Sequence, residues 1–134
     1  MEILKSLIAE LDRRLELWEK QQKISFAEFQ NIERQDAIMH NMLIAIQIAI
    51  DLGNEVIKAK KLGLPSTYKD VFRILAEKKL IAKDLASELE RLAGFRNALI
   101  HLYLDIDVRE AYRMLKQKLK PLKQFYKFVK GLKI

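Results

Sequence analysis

The sequence of 134 residues contains no cysteine, two histidines, two prolines and four glycines. Without cysteine the chain has neither a disulfide framework nor a thiolate zinc site. Two histidines would need several carboxylates to complete a metal site, and no such ligand spacing is present. Few glycines and prolines, with half of the residues hydrophobic, favour a compact helical protein. We therefore expect no metal site and no cofactor.

Long hydrophobic runs, secretory signals and strand-like alternation are also missing. The apolar run from Met42 to Ile50 is too short to span a bilayer. Glu2 and Lys5 interrupt the start of the chain, and no cleavage-site pattern follows. These features predict a soluble, cytoplasmic protein without a membrane partner. The length predicts one helical domain over residues 1–134.

Helical spacing of apolar residues extends over most of the chain. The spacing predicts helices over about 2–22, 25–61, 68–78, 82–101 and from 107 to near the C-terminus. A capping box of Ser25 and Glu28 begins the second helix, Gly53 bends it, and Pro121 kinks the last helix. The predicted fold is all-α: an up-and-down bundle of four main helices plus one short helix.

The net charge of +7 is concentrated near the C-terminus. Residues 109–134 carry nine basic residues and one acid, which gives this segment +8, whereas residues 1–108 sum to −1. A basic helix is usually a solvated face, but it also attracts phosphate backbones without reading their sequence. The charge alone leaves both interpretations open.

Residues 92–103 combine a guanidinium, an amide, an imidazole and a phenol on one predicted helix. Arg96 falls within an apolar stripe formed by Leu85, Leu89, Leu92, Leu99 and Ile100. Because an unpaired guanidinium is costly to bury, Arg96 needs a partner, a wet crevice or an interface. Asn97 and His101, four residues apart, project together from the edge of the stripe. Such groups bind phosphate and transfer protons, and the alternative is a structural ion pair with a satisfied histidine.

The spacing Arg96-x4-His101-x-Tyr103 resembles the R-x4-H-x-Y signature of the HepT-type toxins. These toxins belong to the HEPN (higher eukaryote and prokaryote nucleotide-binding) superfamily. The similarity includes Phe95-Arg96-Asn97 and Asp105-Ile106-Asp107. It extends upstream through Leu64-Pro65 and residues 68–72 to the helix that contains Asp36 and Ile50-Asp51. It therefore covers the chain from about residue 26 to the C-terminus.

The resemblance implies a metal-independent endoribonuclease toxin whose composite site lies at a homodimer interface. His101 is the group suited to proton transfer near neutral pH, and Arg96 is suited to a bidentate grip on the scissile phosphate. Asn97 is expected to orient His101 or donate to the phosphate, and the family pattern places a supporting polar residue near Asp36. The expected products are a 2′,3′-cyclic phosphate and a 5′-hydroxyl.

The family also implies a partner, a minimal nucleotidyltransferase antitoxin of the MntA type that adenylylates Tyr103. The expected assembly is a homodimer, or a larger hetero-oligomer with the antitoxin. Two alternatives stay open. One is a non-catalytic HEPN subunit that binds nucleotide or scaffolds a nucleotidyltransferase. The other is a basic helical binding protein in which the motif is a coincidence. His40 matches no motif and is interpreted as structural.

Overall fold

In the computed structural model, which describes residues 2–101 and 107–132, all regular structure of these ranges is helical. The helices are α1 (Glu2–Gln21), α2 (Phe26–Phe29), α3 (Ile32–Lys60), α4 (Tyr68–Glu77), α5 (Lys83–Ile100), α6 (Val108–Gln117) and α7 (Leu119–Lys130). Helices α1, α3, α5 and α7 form the bundle, and α4 packs on α3 and α5. The predicted all-α bundle of four main helices with one short helix is confirmed.

The prediction for the start of the second helix is wrong. The capping box of Ser25 and Glu28 is present, but it caps only α2, which ends after one turn at Phe29. Asn31 then adopts an extended backbone, and its side-chain oxygen accepts the N–H of Arg34 to begin α3. Because two N-cap signals lie six residues apart, the second one restarts the helix. The turn between the helices buries Phe29 in the core.

The predicted kink near Pro121 is a break between two helices. Helix α6 ends at Gln117 and α7 begins at Leu119. Pro121 lies in the first turn of α7, where a missing N–H breaks no helical hydrogen bond. In a continuous helix its ring would collide with the carbonyl of Gln117, four residues earlier. The chain therefore interrupts its helix at Lys118.

Gly53 brings α3 and α4 together instead of bending α3. The helix is continuous from Ile32 to Lys60, and Gly53 is buried within it. A Cβ atom at position 53 would lie 2.4 Å from Cγ1 of Val71 in α4. Since Val71 is itself buried and its β-branched side chain is stiff, only glycine permits this approach. The close packing fixes α4, and with it Tyr68, against α3.

Most of the apolar middle of α3 is buried in the core. Its fully buried residues include Met42, Ala45, Ile46, Ala49 and Ile50. Leu43, Ile44 and Gln47 are only half-buried and lie along one side of the helix. Within the described ranges, no helix is long and apolar enough to cross a membrane.

Candidate active site

Helix α5 directs Arg96 toward α3 and α4. Position 96 follows the buried Leu92 and Ala93 by four and three residues, so it falls on the same face of the helix. Arg96 is half-buried, and its Nε donates to Oε1 of Gln47 on α3. Its guanidinium carbon lies 4.4 Å from the ring centroid of Tyr68, the first residue of α4. Three helices therefore hold this one side chain.

Gln47 connects Arg96 to a carboxylate without creating an ion pair. Its Nε2 donates to Oδ1 of Asp51, one helical turn further along α3, at 2.8 Å. The bond orients the amide so that its oxygen faces the guanidinium. In the described part of the chain, no carboxylate lies within salt-bridge distance of Arg96, so the structural ion pair considered above does not form there. An amide and an aromatic ring hold the guanidinium while leaving its charge unneutralised.

Asn97 lies between Arg96 and the side of α5 that carries His101. Its Oδ1 accepts a hydrogen bond from Nη1 of Arg96 at 3.2 Å. The structure thus places the Asn97 oxygen on the guanidinium. Asn97 is exposed, and it precedes His101 by four residues, which puts the two side chains on one side of the helix.

His101 is the C-terminal cap of α5 and is exposed. Its backbone N–H donates to the carbonyl of Ala98 at 3.2 Å. It follows Arg96 by five residues, a rise of about 7.5 Å along the axis. One exposed edge of α5 therefore presents the amide of Asn97 and the imidazole of His101 beside the clamped arginine.

The structure does not bring Asp36 to Arg96 within one chain. Asp36 is exposed near the start of α3, eleven residues before Gln47, or about 16 Å along the helix axis. His40 is also exposed and lies about 10 Å from Gln47 along the same axis. Tyr103, predicted as the modified residue, lies outside the described residues.

Sequence reasoning missed Gln47 and Tyr68 as partners of Arg96. Gln47 carried a signal, because it is the one polar residue between Met42 and Ile50. A polar residue in an apolar helical segment needs a hydrogen-bond partner, and here the partner is Arg96. Tyr68 gave no such signal, because its neighbours in the sequence do not predict a contact with Arg96, 28 residues later.

A groove of about 460 Å³ adjoins Tyr68 on the side where α3 meets the loop before α4. Its lining residues are Asn54, Pro65, Ser66, Thr67, Tyr68 and Val71. The loop is held by Asp70, whose Oδ2 accepts from the backbone N–H groups of Ser66 and Thr67 at 3.0 and 3.1 Å. The groove and the Arg96 site thus share one side chain, Tyr68.

A second groove, formed by α1, α6 and α7, is strongly basic. Lys116, Lys120, Lys123 and Lys127 line it together with Glu19. Lys123 pairs with Glu19, and the other three lysines have no carboxylate partner within the part of the chain that the structure describes. The contact with Lys123 lowers the pKa of the Glu19 carboxyl below its usual range. The predicted basic C-terminal segment therefore presents mostly unneutralised cations on α6 and α7.

The family model described as HepT-like (ribonuclease HepT-like) matches residues 5–129, which include the whole of α2 to α6. The matched range contains Arg96, Asn97, His101 and Tyr103. The chain belongs to the HepT-like ribonuclease family. The resemblance stated from the sequence is thereby confirmed.

Two relatives from other organisms carry the name HepT. The mRNA nuclease HepT of Shewanella oneidensis is 27% identical over 102 residues, covering 76% of this chain and 77% of that protein. The tRNA nuclease HepT of Aphanizomenon flos-aquae is 27% identical over 111 residues, covering 82% of this chain and 76% of that protein. HepT-like relatives thus include proteins named for two classes of RNA.

The HepT-like fold is also found in a solved structure. The tri-AMPylated HEPN toxin of Shewanella oneidensis, in complex with its MNT antitoxin, superimposes with a TM-score of 0.88. It is 24% identical and covers 98% of this chain and 99% of that one. This similarity establishes the HEPN-type bundle for the present chain.

Proposed function

We propose that this chain is the ribonuclease toxin of a toxin–antitoxin pair, with Arg96 and His101 in its active site. The observation that carries the proposal is the guanidinium of Arg96, which is held in place and has no carboxylate partner among residues 2–101 and 107–132. Two neutral partners on two other helices hold it, so its charge stays available to an anion. Membership of the HepT-like ribonuclease family favours an RNA phosphodiester as that anion.

The proposed reaction is an internal transesterification of RNA. The 2′-oxygen attacks the adjacent phosphorus, its proton passes to a base, and the bond from phosphorus to the 5′-oxygen breaks. The departing 5′-oxygen takes a proton from an acid, which leaves a 2′,3′-cyclic phosphate and a 5′-hydroxyl. His101 supplies proton transfer, and Arg96 balances the charge that develops on the phosphate.

The reaction is proposed to proceed without a metal ion. Among the described residues no three His, Asp or Glu side chains are grouped so that they would hold one. The positive charge that the phosphate requires is instead supplied by Arg96. The basic groove of α6 and α7 adds attraction for the RNA backbone.

The active form is proposed to be a homodimer, because one chain supplies a single imidazole and the reaction uses both an acid and a base. The face that carries the site has apolar residues suited to an interface. Ile100, one turn after Arg96, is 42% exposed, and Leu43 and Ile44 are half-buried beside Gln47. Two copies that pair through this face bring two His101 side chains to one cleft.

The antitoxin is proposed to be a nucleotidyltransferase that modifies Tyr103. The Tyr103 oxygen attacks the α-phosphorus of ATP, pyrophosphate leaves, and the phenolic proton passes to solvent. The added phosphates compete with the RNA phosphate for Arg96 and repel further RNA. The tri-AMPylated relative bound to its MNT antitoxin supports this assignment. Mass steps of AMP on the intact protein, absent in Tyr103→Phe, are the expected result with the cognate enzyme and ATP.

The proposal is tested by the cleavage of a labelled single-stranded RNA in EDTA. We expect wild-type protein to produce 2′,3′-cyclic phosphate ends, and His101→Ala to reduce the rate by about 10²- to 10⁴-fold. His40→Ala is the matched control, because it removes an exposed histidine of α3 at a distance from Arg96 and leaves the rate unchanged.

Three outcomes contradict the proposal. Cleavage that requires a divalent ion excludes the metal-free mechanism. A His101→Ala variant that is folded and fully active excludes His101 as the proton-transfer group. Wild-type protein that binds nucleotide but cleaves no RNA favours the non-catalytic HEPN subunit instead.

A further inference from the structure

Tyr68 is an aromatic side chain in direct contact with the proposed phosphate clamp, yet it stays 43% exposed. Single exposed aromatic residues are common on protein surfaces. Tyr68 differs from them because its ring contacts Arg96 and also forms a wall of the 460 Å³ groove. Arg96 could therefore hold a phosphate while Tyr68, in contact with it, holds a flat group on its ring.

The groove beyond Tyr68 has the size and chemistry of a small polar ligand site. Its volume falls within the range of about 300 to 1,000 Å³ that is usual for such sites. Asn54 of α3 lines it, and its amide has no hydrogen-bond partner among the described residues. This amide offers two donors and one acceptor. The edge of a nucleobase presents the complementary groups.

The charges around the groove favour a base over a second phosphate. Gln47, Asp51 and Asn54 follow one another along one face of α3, at spacings of four and three residues. The Asp51 carboxylate thus lies between the amide that holds Arg96 and the amide that lines the groove. A phosphate near Asn54 would be repelled by this carboxylate, whereas a neutral base would not.

We propose that Tyr68 and Asn54 form a base-binding subsite for the nucleotide whose phosphate Arg96 grips. The base stacks on the ring of Tyr68, and the amide of Asn54 hydrogen-bonds to the edge of the base. Stacking accepts every base, so Tyr68 supplies affinity and Asn54 supplies preference. The inference rests on the proposed function in taking single-stranded RNA as the ligand.

The test measures RNA binding in a His101→Ala background, where cleavage is expected to be slow. Two fluorescein-labelled probes of equal length are compared by anisotropy: a mixed-sequence single-stranded RNA and an abasic ribose–phosphate chain. Tyr68→Ala is expected to weaken binding of the base-bearing RNA by about 5- to 100-fold more than binding of the abasic chain. Tyr68→Phe, which keeps the ring, is the matched control and retains the affinity.

The abasic probe separates base stacking from the contact between Tyr68 and Arg96. Loss of that contact alone weakens the phosphate grip and lowers the affinity for both probes equally. Asn54→Asp, which removes both amide donors, is expected to change the order in which oligo-A, oligo-C and oligo-U bind. Thermal melting of each variant shows whether the fold is retained.

The outcomes distinguish the subsite from the proposed catalysis. Equal effects of Tyr68→Ala on both probes, with an unchanged order of oligonucleotides in Asn54→Asp, overturn the subsite even if wild-type protein cleaves RNA. A base-dependent loss in Tyr68→Ala supports the subsite even if wild-type protein cleaves nothing. Wild-type protein that binds neither probe overturns both proposals.

Discussion

Helix α3 supplies a side-chain amide to two arginines, and the two are stabilised in different ways. Asn41, only 1% exposed, accepts from Nη1 of Arg14 at 3.4 Å and donates to the Arg14 carbonyl at 3.0 Å. The Nε of Arg14 also binds the carboxylate of Glu10 at 3.0 Å. Arg13 pairs with the same Glu10 oxygen at 2.8 Å, so this carboxylate offsets only part of the charge of Arg14, which packs against Asn41 of α3.

Arg96 receives its amide from the same helix but has no adjacent carboxylate in the described ranges. Gln47 and Tyr68 fix its geometry, and Asp51 is separated from it by the Gln47 amide. Hydrogen bonding and the aromatic ring offset part of the desolvation of the guanidinium while its net charge persists. The comparison shows two uses of a held arginine. Arg96 is held by neutral groups and can bind an anion, whereas Arg14 shares a carboxylate and joins α1 to α3 through Asn41.

The largest expected effect is on the cleavage rate, which should fall when Arg96 is replaced but not when Arg14 is replaced. Arg96→Ala is expected to lower the initial rate of RNA cleavage by about 100- to 1,000-fold with little change in melting temperature, because it removes charge aimed at the phosphate. Arg14→Ala is expected to leave the rate unchanged but to destabilise the fold by about 1 kcal/mol, since Asn41 loses a partner. Gel-based cleavage assays and thermal melts measure both. A folded Arg14→Ala variant without activity would contradict the comparison.

An intermediate effect is expected when the Arg96 site is made to resemble the Arg14 site. Gln47→Glu places a carboxylate against the guanidinium, and the new ion pair competes with the substrate phosphate. We expect KM for RNA to rise about tenfold, which corresponds to about 1.4 kcal/mol. Combining the change with Asp51→Asn removes the repulsion between the two carboxylates and serves as the control. An unchanged KM in both variants would show that Arg96 does not bind the phosphate.

The smallest expected effect is a change with pH in the stability that Glu10, the partner of Arg14, contributes. Hydrogen bonds from Arg13 and then Arg14 lower the pKa of Glu10 from its usual 4.5. A lowered pKa means that this stabilisation is complete above the unfolded value and is lost as the pH falls through the folded value. Glu10→Gln should therefore lower the melting temperature slightly at pH 7, and the difference should shrink as the pH falls below 4.5. A difference that does not shrink with falling pH would mean that Glu10 acts through something other than its charge.

Helix boundaries were predictable where one local signal acts alone. Helices α4 and α6 begin within one residue of the predicted starts at 68 and 107. The Thr67–Asp70 capping box begins α4, and the Asp107 side chain caps α6. The predictions failed where two signals compete, at Asn31 and before Pro121. Helical spacing of apolar residues continues in the sequence across both breaks, so it does not reveal them.

The sequence by itself determined the helical periodicity, the family and the placement of Arg96, Asn97 and His101 on one helix. These features depend on residues close together in the chain, where spacing translates directly into direction around a helix axis. Tertiary structure decided what holds Arg96. Gln47 lies 49 residues earlier and Tyr68 lies 28 residues earlier. Whether they meet the guanidinium depends on the packing of α3, α4 and α5, and Gly53 allows α4 to come close to α3. No local sequence pattern predicts this packing, because it depends on residues from three separate helices.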